Sequence, residues 1–400
     1  MPKATNTPLS CIFGLNKPTG QPSMTLLNKL QPLFSSSTLF KDPSTASDQQ
    51  GGGGGKKGGR RGKWKQERVK MGQGGTLDPL ADGVLVIGTN QATKKLSKFL
   101  DCTKTYKAIA LIGCSTDSYD SDGKILKKTK WNGISKELIE EKLGMFRGEI
   151  EQTPPVYSAL KMDGKPLYEY ARSNTPLPRP IPSRKVTISS ISLLNFTPGN
   201  ERKDSYEFPK ETLNEQERLE IEKLEKMVKQ GKTTLPSTEE IIEEQDQTDN
   251  SSVVGEEQKE GTEQLSSSES DPAEGRPPIF EISLTVSSGT YIRSVVHDLG
   301  IALGSSAHIV KLTRTRQGQF SLDPSEGEVD VEGKEGEKEV EKQLRGCIEW
   351  SLLEKAIERQ DKIKKGSQEA KDEADKEREM QGSDGYLEWE REILRCCETV

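Results

Sequence analysis

One aspartate in the segment GQGGTLDPLADG (72–83) stands where a carboxylate can do chemistry. Asp78 precedes Pro79, whose ring pushes the residue before it out of helical φ/ψ and into an extended conformation. Gly74 and Gly75, just upstream, permit positive φ and a close approach of backbone to a ligand. The carboxylate is therefore expected on a constrained loop just ahead of a strand, and loops held by a rigid scaffold are where catalytic groups concentrate. Local pattern leaves a second reading open. Asp-Pro turns are common, and taken alone a turn or capping aspartate is the more frequent outcome.

Other residue types bear on nucleic-acid chemistry. The stretch KMDGKPLYEYAR (161–172) interleaves Lys161, Lys165 and Arg172 with Tyr168 and Tyr170. Such a loop suits phosphate contacts and base stacking; a solvated loop with its tyrosines packed on the core is the plainer alternative. A basic run contains Lys56, Lys57, Arg60, Arg61, Lys63, Lys65, Arg68 and Lys70. It can add nonspecific, salt-dependent phosphate affinity or serve as a nuclear-import patch. Its glycines do not make a phosphate-binding P-loop, because Gly55-Lys56 lacks the upstream Gly and the following Ser/Thr. Six cysteines (Cys11, Cys102, Cys114, Cys347, Cys396 and Cys397) form no C-x-x-C pair, and His297 and His308 lie beside no cysteine cluster. That spacing argues against a zinc site and against a disulfide framework, and fits a reducing compartment. The two histidines are assigned no catalysis.

The elements that must position these groups follow from periodicity and turn chemistry. Residues 10–33 read as a strand, a turn at Lys17-Pro18-Thr19-Gly20, and a helix capped by Ser23 or Thr25 with Leu26, Leu27 and Leu30 on its buried face. VLVIG (84–88) reads as a buried strand, QATKKLSKFL (91–100) as an amphipathic helix and TYKAIALIG (105–113) as a strand. DSDGK (120–124) is turn chemistry. Ser135 can cap a helix carrying Ile139, Leu143 and Phe146. Residues 279–322 read as strand, Gly289 turn, helix over 291–303, a stop at Gly304 and a second strand.

Composition sets the boundaries. Of 400 residues, 31% are hydrophobic and 30% charged, so much of the length is expected outside a packed core. The net charge of -6 sits oddly with an RNA partner, but the acids concentrate in two segments and the phosphate footprint depends on local distribution. The chain divides into residues 1–33 and 64–198 of a catalytic core, a flexible Ser/Gly/basic insertion at 34–63, and an acidic low-complexity insertion at 199–277. A further core part follows at 278–322, then a charged C-terminal extension at 323–400. A helical stretch is expected near 212–230, a Leu/Trp-bearing segment near 343–355 and a helix toward the end. The class is α+β, with a central mixed or antiparallel sheet flanked by helices and interrupted by disordered insertions. No run of roughly 18 apolar residues occurs, so no membrane span is expected. The N-terminal residues lack the apolar stretch of a secretory signal. Nucleus and/or mitochondrion is the expected location.

GGTLDPLADGVLVIG resembles the catalytic motif of TruB-type pseudouridine synthases. Four further blocks resemble that family in the same order: GLNKPTGQPSMTLLNKL (14–30), KTYKAIALIGCSTDSYDSDGKIL (104–126), FRGEIEQTPPVYSALKMDGKPLYEYAR (146–172), and VSSGTYIRSVVHDLG (286–300) with AHIVKLTR (307–314). The resemblance spans 11–37, 64–198 and 278–322, about half of the chain. It implies a pseudouridine synthase fold and isomerisation of the T-loop uridine of tRNA, position 55, without cofactor or metal. It implies that Asp78 is the catalytic aspartate acting at the ribose–uracil junction, that Tyr106 stacks on the flipped uracil, that Arg293 pairs with Asp78, and that Leu312 packs against the base. Taken singly, Tyr106 is a strand residue, Arg293 a surface arginine and Leu312 a core residue. Gln73 stands where many bacterial members carry a histidine, and it can still hydrogen-bond the RNA. No PUA-like module is expected after residue 322. The long insertions and Gln73 resemble the eukaryotic, fungal, stand-alone branch. The T-arm of tRNA is the expected partner, with messenger RNA as a further class and no obligatory protein partner. The competing readings are an RNA-folding module without catalysis and a guide-dependent RNA isomerase.

Overall fold

The structure, a computed structural model, describes residues 8–41, 68–173, 175–219, 221, 275–325, 344–380 and 385–400. Its strands are β1 (Cys11–Lys17), β2 (Met71–Gln73), β3 (Asp82–Thr89), β4 (Lys104–Ile112), β5 (Cys114–Thr116), β6 (Ile125–Lys128), β7 (Gly148–Gln152) and β8 (Lys161–Met162). They continue as β9 (Lys165–Pro166), β10 (Arg184–Thr197), β11 (Ile279–Val286), β12 (Ala307–Gln317), β13 (Phe320–Ser321), β14 (Cys347–Glu349) and β15 (Glu398–Thr399). The helices are α1 (Ser23–Ser36), α2 (Ser97–Asp101), α3 (Lys136–Leu143), α4 (Leu167–Arg172), α5 (Ile292–Ala302), α6 (Trp350–Lys364), α7 (Gln368–Met380) and α8 (Glu388–Cys396). The chain divides into two units, residues 1–106 with 313–400, and residues 107–312.

In the first unit the strand order is β14-β1-β3-β12. β1 runs antiparallel to β3, from Ile12↔Gly88 to Lys17↔Gly83, and parallel to β14. The alternation of strand side chains feeds two apolar layers. Phe13, Leu15, Leu85 and Ile87 face α1 through Leu26, Leu30 and Phe34, whereas Ile12, Val84 and Val86 face Ala92, Leu96, Phe99 and Phe320. Strands buried on both faces read as unbroken apolar runs, which is why CIFGL and VLVIG are legible as strands. The last part of β12 lies parallel to β3 with Arg314 opposite Gly83. Gly83 has φ +99, and a Cβ there would stand 2.3 Å from the Arg314 carbonyl oxygen, so this close crossing needs glycine.

In the second unit the order is β4-β11-β10-β7, with β10 antiparallel to both β11 and β7. Ile188, Ile191, Phe280, Ile282 and Leu284 are buried on the strands, and Ile139, Leu143, Val295 and Leu299 on the helices. Ser135 caps α3 as expected, its hydroxyl accepting from the Leu138 N–H at 3.3 Å. α5 ends at Gly304 (φ +70), also as expected.

The α+β class and the mixed sheet stand, and five expectations need correction. The helix expected over 91–100 is a 3-10 segment, Asn90–Lys95, followed by the short α2. Leu96 packs within about 3 Å of the Cβ position of Gly88, drawing this stretch tight against β3. Ser23 does not cap α1: the cap position is Pro22, and the Ser23 hydroxyl bonds to Leu77 instead. The boundary at 34 cuts into the core, since Phe34 and Phe40 are buried and their ring centroids lie 4.7 Å apart. The C-terminal extension is also core. β14 and β15 both pair with β1, and Ile348, Leu353, Trp389 and Ile393 pack on α1 and β1. Charge dominates these helices in composition because only one face of each is covered. The start of the acidic insertion is packed as well, with Phe208 against Trp131 and His308. Residues 42–63 and 222–274, and the basic run except Arg68 and Lys70, lie outside the described residues.

Candidate active site

The segment from Gly74 to Ala81 has no regular structure, yet every one of its backbone carbonyls accepts a hydrogen bond. Gln317 Nε2 donates to Gly74, and the Arg314 guanidinium reaches Gly75 and Thr76 at 3.4 Å each. The Ser23 hydroxyl donates to Leu77 at 3.0 Å and accepts from the Leu77 N–H at 3.1 Å. The Ala81 N–H donates to Asp78, the Gly20 N–H to Pro79 at 2.7 Å, and the Thr19 hydroxyl to Leu80. Lys17 Nζ donates to Pro79 at 3.2 Å and Ala81 at 2.5 Å. A loop satisfied in this way has few alternative conformations, because each displaced carbonyl would be left unpaired at a cost of about 1–3 kcal/mol. Asp78, at the centre, is half-buried.

The donors come from the turn after β1, from the first residue of α1 and from the end of β12. The Lys17–Gly20 turn thus holds the Asp78 loop directly, through Lys17, Thr19 and Gly20. Lys17 is fully buried, and burial brings its ammonium down to about 8, while the Asp82 and Asp78 carboxylates hold it up and Arg314 pushes it further down. Arg314 and Gln317 were not singled out from the sequence, and Ser23 was read only as a helix cap. Each reads locally as an ordinary strand or cap residue, and what marks them is burial. Gln73 lies on β2 and donates to the Thr76 hydroxyl at 3.2 Å. Tyr106 is on β4 in the same unit and is buried.

Arg293 and Leu312 belong to the second unit, and both are buried. Arg293 is no surface residue: it lies in the first turn of α5, donates to the carbonyls of Ser118 (2.7 Å) and Tyr157 (2.9 Å), and forms an ion pair with Asp120 at 3.4 Å. Asp120 also accepts from the Ser118 hydroxyl at 2.6 Å and the Asp122 N–H at 3.1 Å. Tyr119, between them, adopts φ +64 and stacks its ring 3.9 Å from that of His297. Burial raises the Asp117 carboxyl above its ordinary value, and burial together with Asp117 pushes the Tyr157 hydroxyl up to about 12. The sequence reading took DSDGK as a turn and missed Asp120 as a partner of Arg293, since their contact joins segments more than 170 residues apart.

The basic-aromatic stretch is a small folded unit. β8 and β9 form a hairpin whose two turn residues, Asp163 (φ +51) and Gly164 (φ +81), both take positive φ. α4 follows, and Tyr170 packs with Met162, Leu167, Leu177 and Ile181 and donates to the Met162 carbonyl at 3.1 Å. Lys165 lies 4.6 Å from the Tyr170 ring centroid and Arg172 5.3 Å from that of Tyr168, while Lys161 and Arg172 are exposed. One tyrosine is thus core, as the plainer alternative had it, and the cations stand on a folded platform.

A loop-borne carboxylate held by an exhaustive backbone network in the first unit, and a basic hairpin on the second, suit an enzyme that modifies RNA. Residues 61–213 match the model of the TruB family pseudouridylate synthase N-terminal domain. The chain is 40% identical over 334 residues to tRNA pseudouridine synthase 4 of Schizosaccharomyces pombe, covering 78% of this chain and 79% of that one. It is 36% identical to tRNA pseudouridine synthase 4 of Saccharomyces cerevisiae, with 78% of each chain covered. It is 33% identical to tRNA pseudouridine synthase B of Bordetella avium, covering 66% and 76%. The chain belongs to the TruB family of pseudouridine synthases, and the likeness to fungal members read from the sequence agrees with the two yeast relatives.

Proposed function

We propose that this protein converts the T-loop uridine of tRNA to pseudouridine, with Asp78 as the catalytic carboxylate. The observation that carries the reading is the Gly74–Ala81 loop, which holds one half-buried carboxylate on a backbone whose carbonyls are all occupied. The reaction breaks the bond between uracil N1 and the ribose C1′ and rejoins C1′ to C5. The C5 proton then leaves and a proton is gained at N1, so nothing is oxidised or reduced. Such a reaction needs a carboxylate fixed against the ribose and a base held out of its stack. In this reading Tyr106, Leu312, Gln73 and Arg293 keep the roles that the resemblance implies, and the Lys161, Lys165 and Arg172 face meets RNA phosphates. Uridines of messenger RNA in a similar stem-loop form a second substrate class.

The test is incubation of the purified protein with unmodified tRNA transcript and base-resolution mapping of pseudouridine, beside Asp78→Ala. The expected outcome is one new pseudouridine in the T-loop, absent with Asp78→Ala, without any guide RNA. Tight tRNA binding without product would instead favour the RNA-folding module, and product only with added guide RNA the guide-dependent isomerase.

A further inference from the structure

Among the described residues Arg314 is the largest fully buried side chain, and how its charge is used sets it apart. Only 1% of its surface is exposed. Among the described residues no carboxylate stands within ion-pair distance of it, and its hydrogen bonds all end on backbone carbonyls: Val84 at 2.7 Å, Gly75 and Thr76 at 3.4 Å. A buried cation is costly unless it is paired, and an apolar side chain of similar volume generally serves stability as well or better. Retaining a full charge here therefore needs a reason other than stability. Gln317 shows the same pattern. It is fully buried, and its amide nitrogen bridges the carbonyls of Gly74 and Phe99, the latter at 2.8 Å. A Cβ at Gly75, which has φ +124, would stand 3.4 Å from that nitrogen.

We propose that Arg314 and Gln317 are positioning residues for Asp78, holding from β12 the three carbonyls that precede Leu77 so that the carboxylate is presented at a fixed depth and angle. The proposal rests on the reading of Asp78 as the catalytic carboxylate. The turn after β1 and Ser23 hold the loop from Leu77 onward, so only the Gly74–Thr76 arm depends on β12. That arm sets where the backbone enters Asp78. Displacing a reacting group by about 1 Å can cost on the order of 100-fold in rate. The Arg314 charge also bears on the same ammonium as the loop carboxylates, opposing Asp78 and Asp82 at Lys17. Neutralising it changes both the geometry and the potential at the carboxylate.

The experiment measures single-turnover pseudouridine formation, tRNA affinity and melting temperature for the full chain and for Arg314→Met, Arg314→Lys, Gln317→Leu and Asp78→Asn. Arg314→Met is expected to lose roughly 100-fold in rate with tRNA affinity within about threefold of wild type, and Arg314→Lys to recover part of that loss. Gln317→Leu is expected to lose roughly tenfold in rate, again with affinity kept, and it carries the test if Arg314→Met fails to fold. Full rates in the folded variants would overturn the proposal. So would a fall in rate matched by equal falls in affinity and melting temperature, which is the mark of a merely structural role. Wild-type activity in Asp78→Asn would overturn the underlying reading instead, and that arm reports it separately.

Discussion

Lys17 Nζ lies 2.5 Å from the carbonyl oxygen of Ala81, and the same ammonium reaches the carbonyls of Pro79 at 3.2 Å and Pro18 at 2.8 Å. A buried ammonium thus ties the turn after β1 to the residues that follow Asp78. Its proton is easily lost, because burial lowers it to about 8 from an ordinary 10.5. The unfolded chain then holds one more proton than the folded one between about pH 8 and 10.5, so the contribution of this group to stability rises with pH across that window. Below about 8 the buried charge is present in full and its desolvation weighs against the fold. Its hold on the loop has the opposite trend, since a neutral amine donates more weakly and no longer offsets Asp78 and Asp82. The single-turnover rate is expected to fall above about pH 8 without a matching loss of stability from Lys17. Lys17→Met should lower the rate near neutrality and remove that alkaline limb. An alkaline limb that persists in Lys17→Met would assign it to another group. Rate profiles and melting curves over the same pH range decide between them.

The Arg293–Asp120 pair gives a second prediction. Both side chains are buried, and the guanidinium sits over the Ser118–Asp122 turn. Removing one partner of a buried pair costs about 3–5 kcal/mol, because the other charge is left uncompensated. The carbonyls of Ser118 and Tyr157 still hold Arg293, so Asp120→Ala is expected near the lower end, about 3 kcal/mol, by denaturant unfolding. A double-mutant cycle with Arg293→Met should return a coupling energy of about 1–3 kcal/mol. Additive effects would show that the two side chains act independently.

What could be read from the sequence followed from periodicity and local turn chemistry. β1, β3, β4, the Ser135 cap and the α5–Gly304 stop were legible because each is decided by neighbours within a few residues. Asp78 was legible as a loop carboxylate for the same reason. The partners of its loop were not. Arg314 and Gln317 lie about 240 residues from Gly74, and nothing in TRTRQGQ distinguishes a buried arginine from a solvated one. The C-terminal strands escaped for a related reason. β14 and β15 have three and two residues, too short for any alternation, and they are strands only because β1 offers them an edge.

The base of the acidic insertion yields a third prediction. Arg202 donates to Asp204 Oδ2 at 3.1 Å and to the Pro277 carbonyl at 2.7 Å, and Arg276 returns a bond to the Arg202 carbonyl at 3.0 Å. The two ends of the insertion are thus clamped together. The Arg202 hydrogen bond holds the Asp204 carboxyl down to about 2, so this contribution is present above about pH 4 and is lost as the pH falls toward 2. Replacing 222–274 with a short Gly/Ser linker is expected to leave turnover within about twofold. The clamp fixes the ends, and shortening a loop only reduces closure entropy, by about 0.6 kcal/mol per halving. A folded deletion variant without turnover would give the insertion a part in catalysis. Arg202→Ala in the full chain should instead lower the melting temperature and leave the rate of the remaining folded protein unchanged.

The C-terminal residues are the last test, because composition and structure disagree about them most. Trp389 is buried, with ring centroids 5.2 Å from Phe34 and 6.1 Å from Phe40, and Ile393 packs in the same layer. Glu390 next to it is buried too, accepting from the Ser37 hydroxyl at 2.5 Å and the Leu387 N–H at 2.8 Å. α8 therefore closes the layer that covers the α1 face of β1, and β1 leads directly into the turn that holds Asp78. Trp389→Ala is expected to cost about 3–5 kcal/mol, the usual range for emptying a buried aromatic site. Truncation at 384 removes Trp389, Glu390 and Ile393 together and takes β15 from the edge of β1, so it should abolish cooperative melting of the first unit. A truncated chain that melts like the full one would make the segment the peripheral extension that its charge suggests. Loss of cooperative melting would make it part of the scaffold of the Asp78 loop, with Trp389→Phe, which keeps most of the buried ring, expected to retain most of the stability.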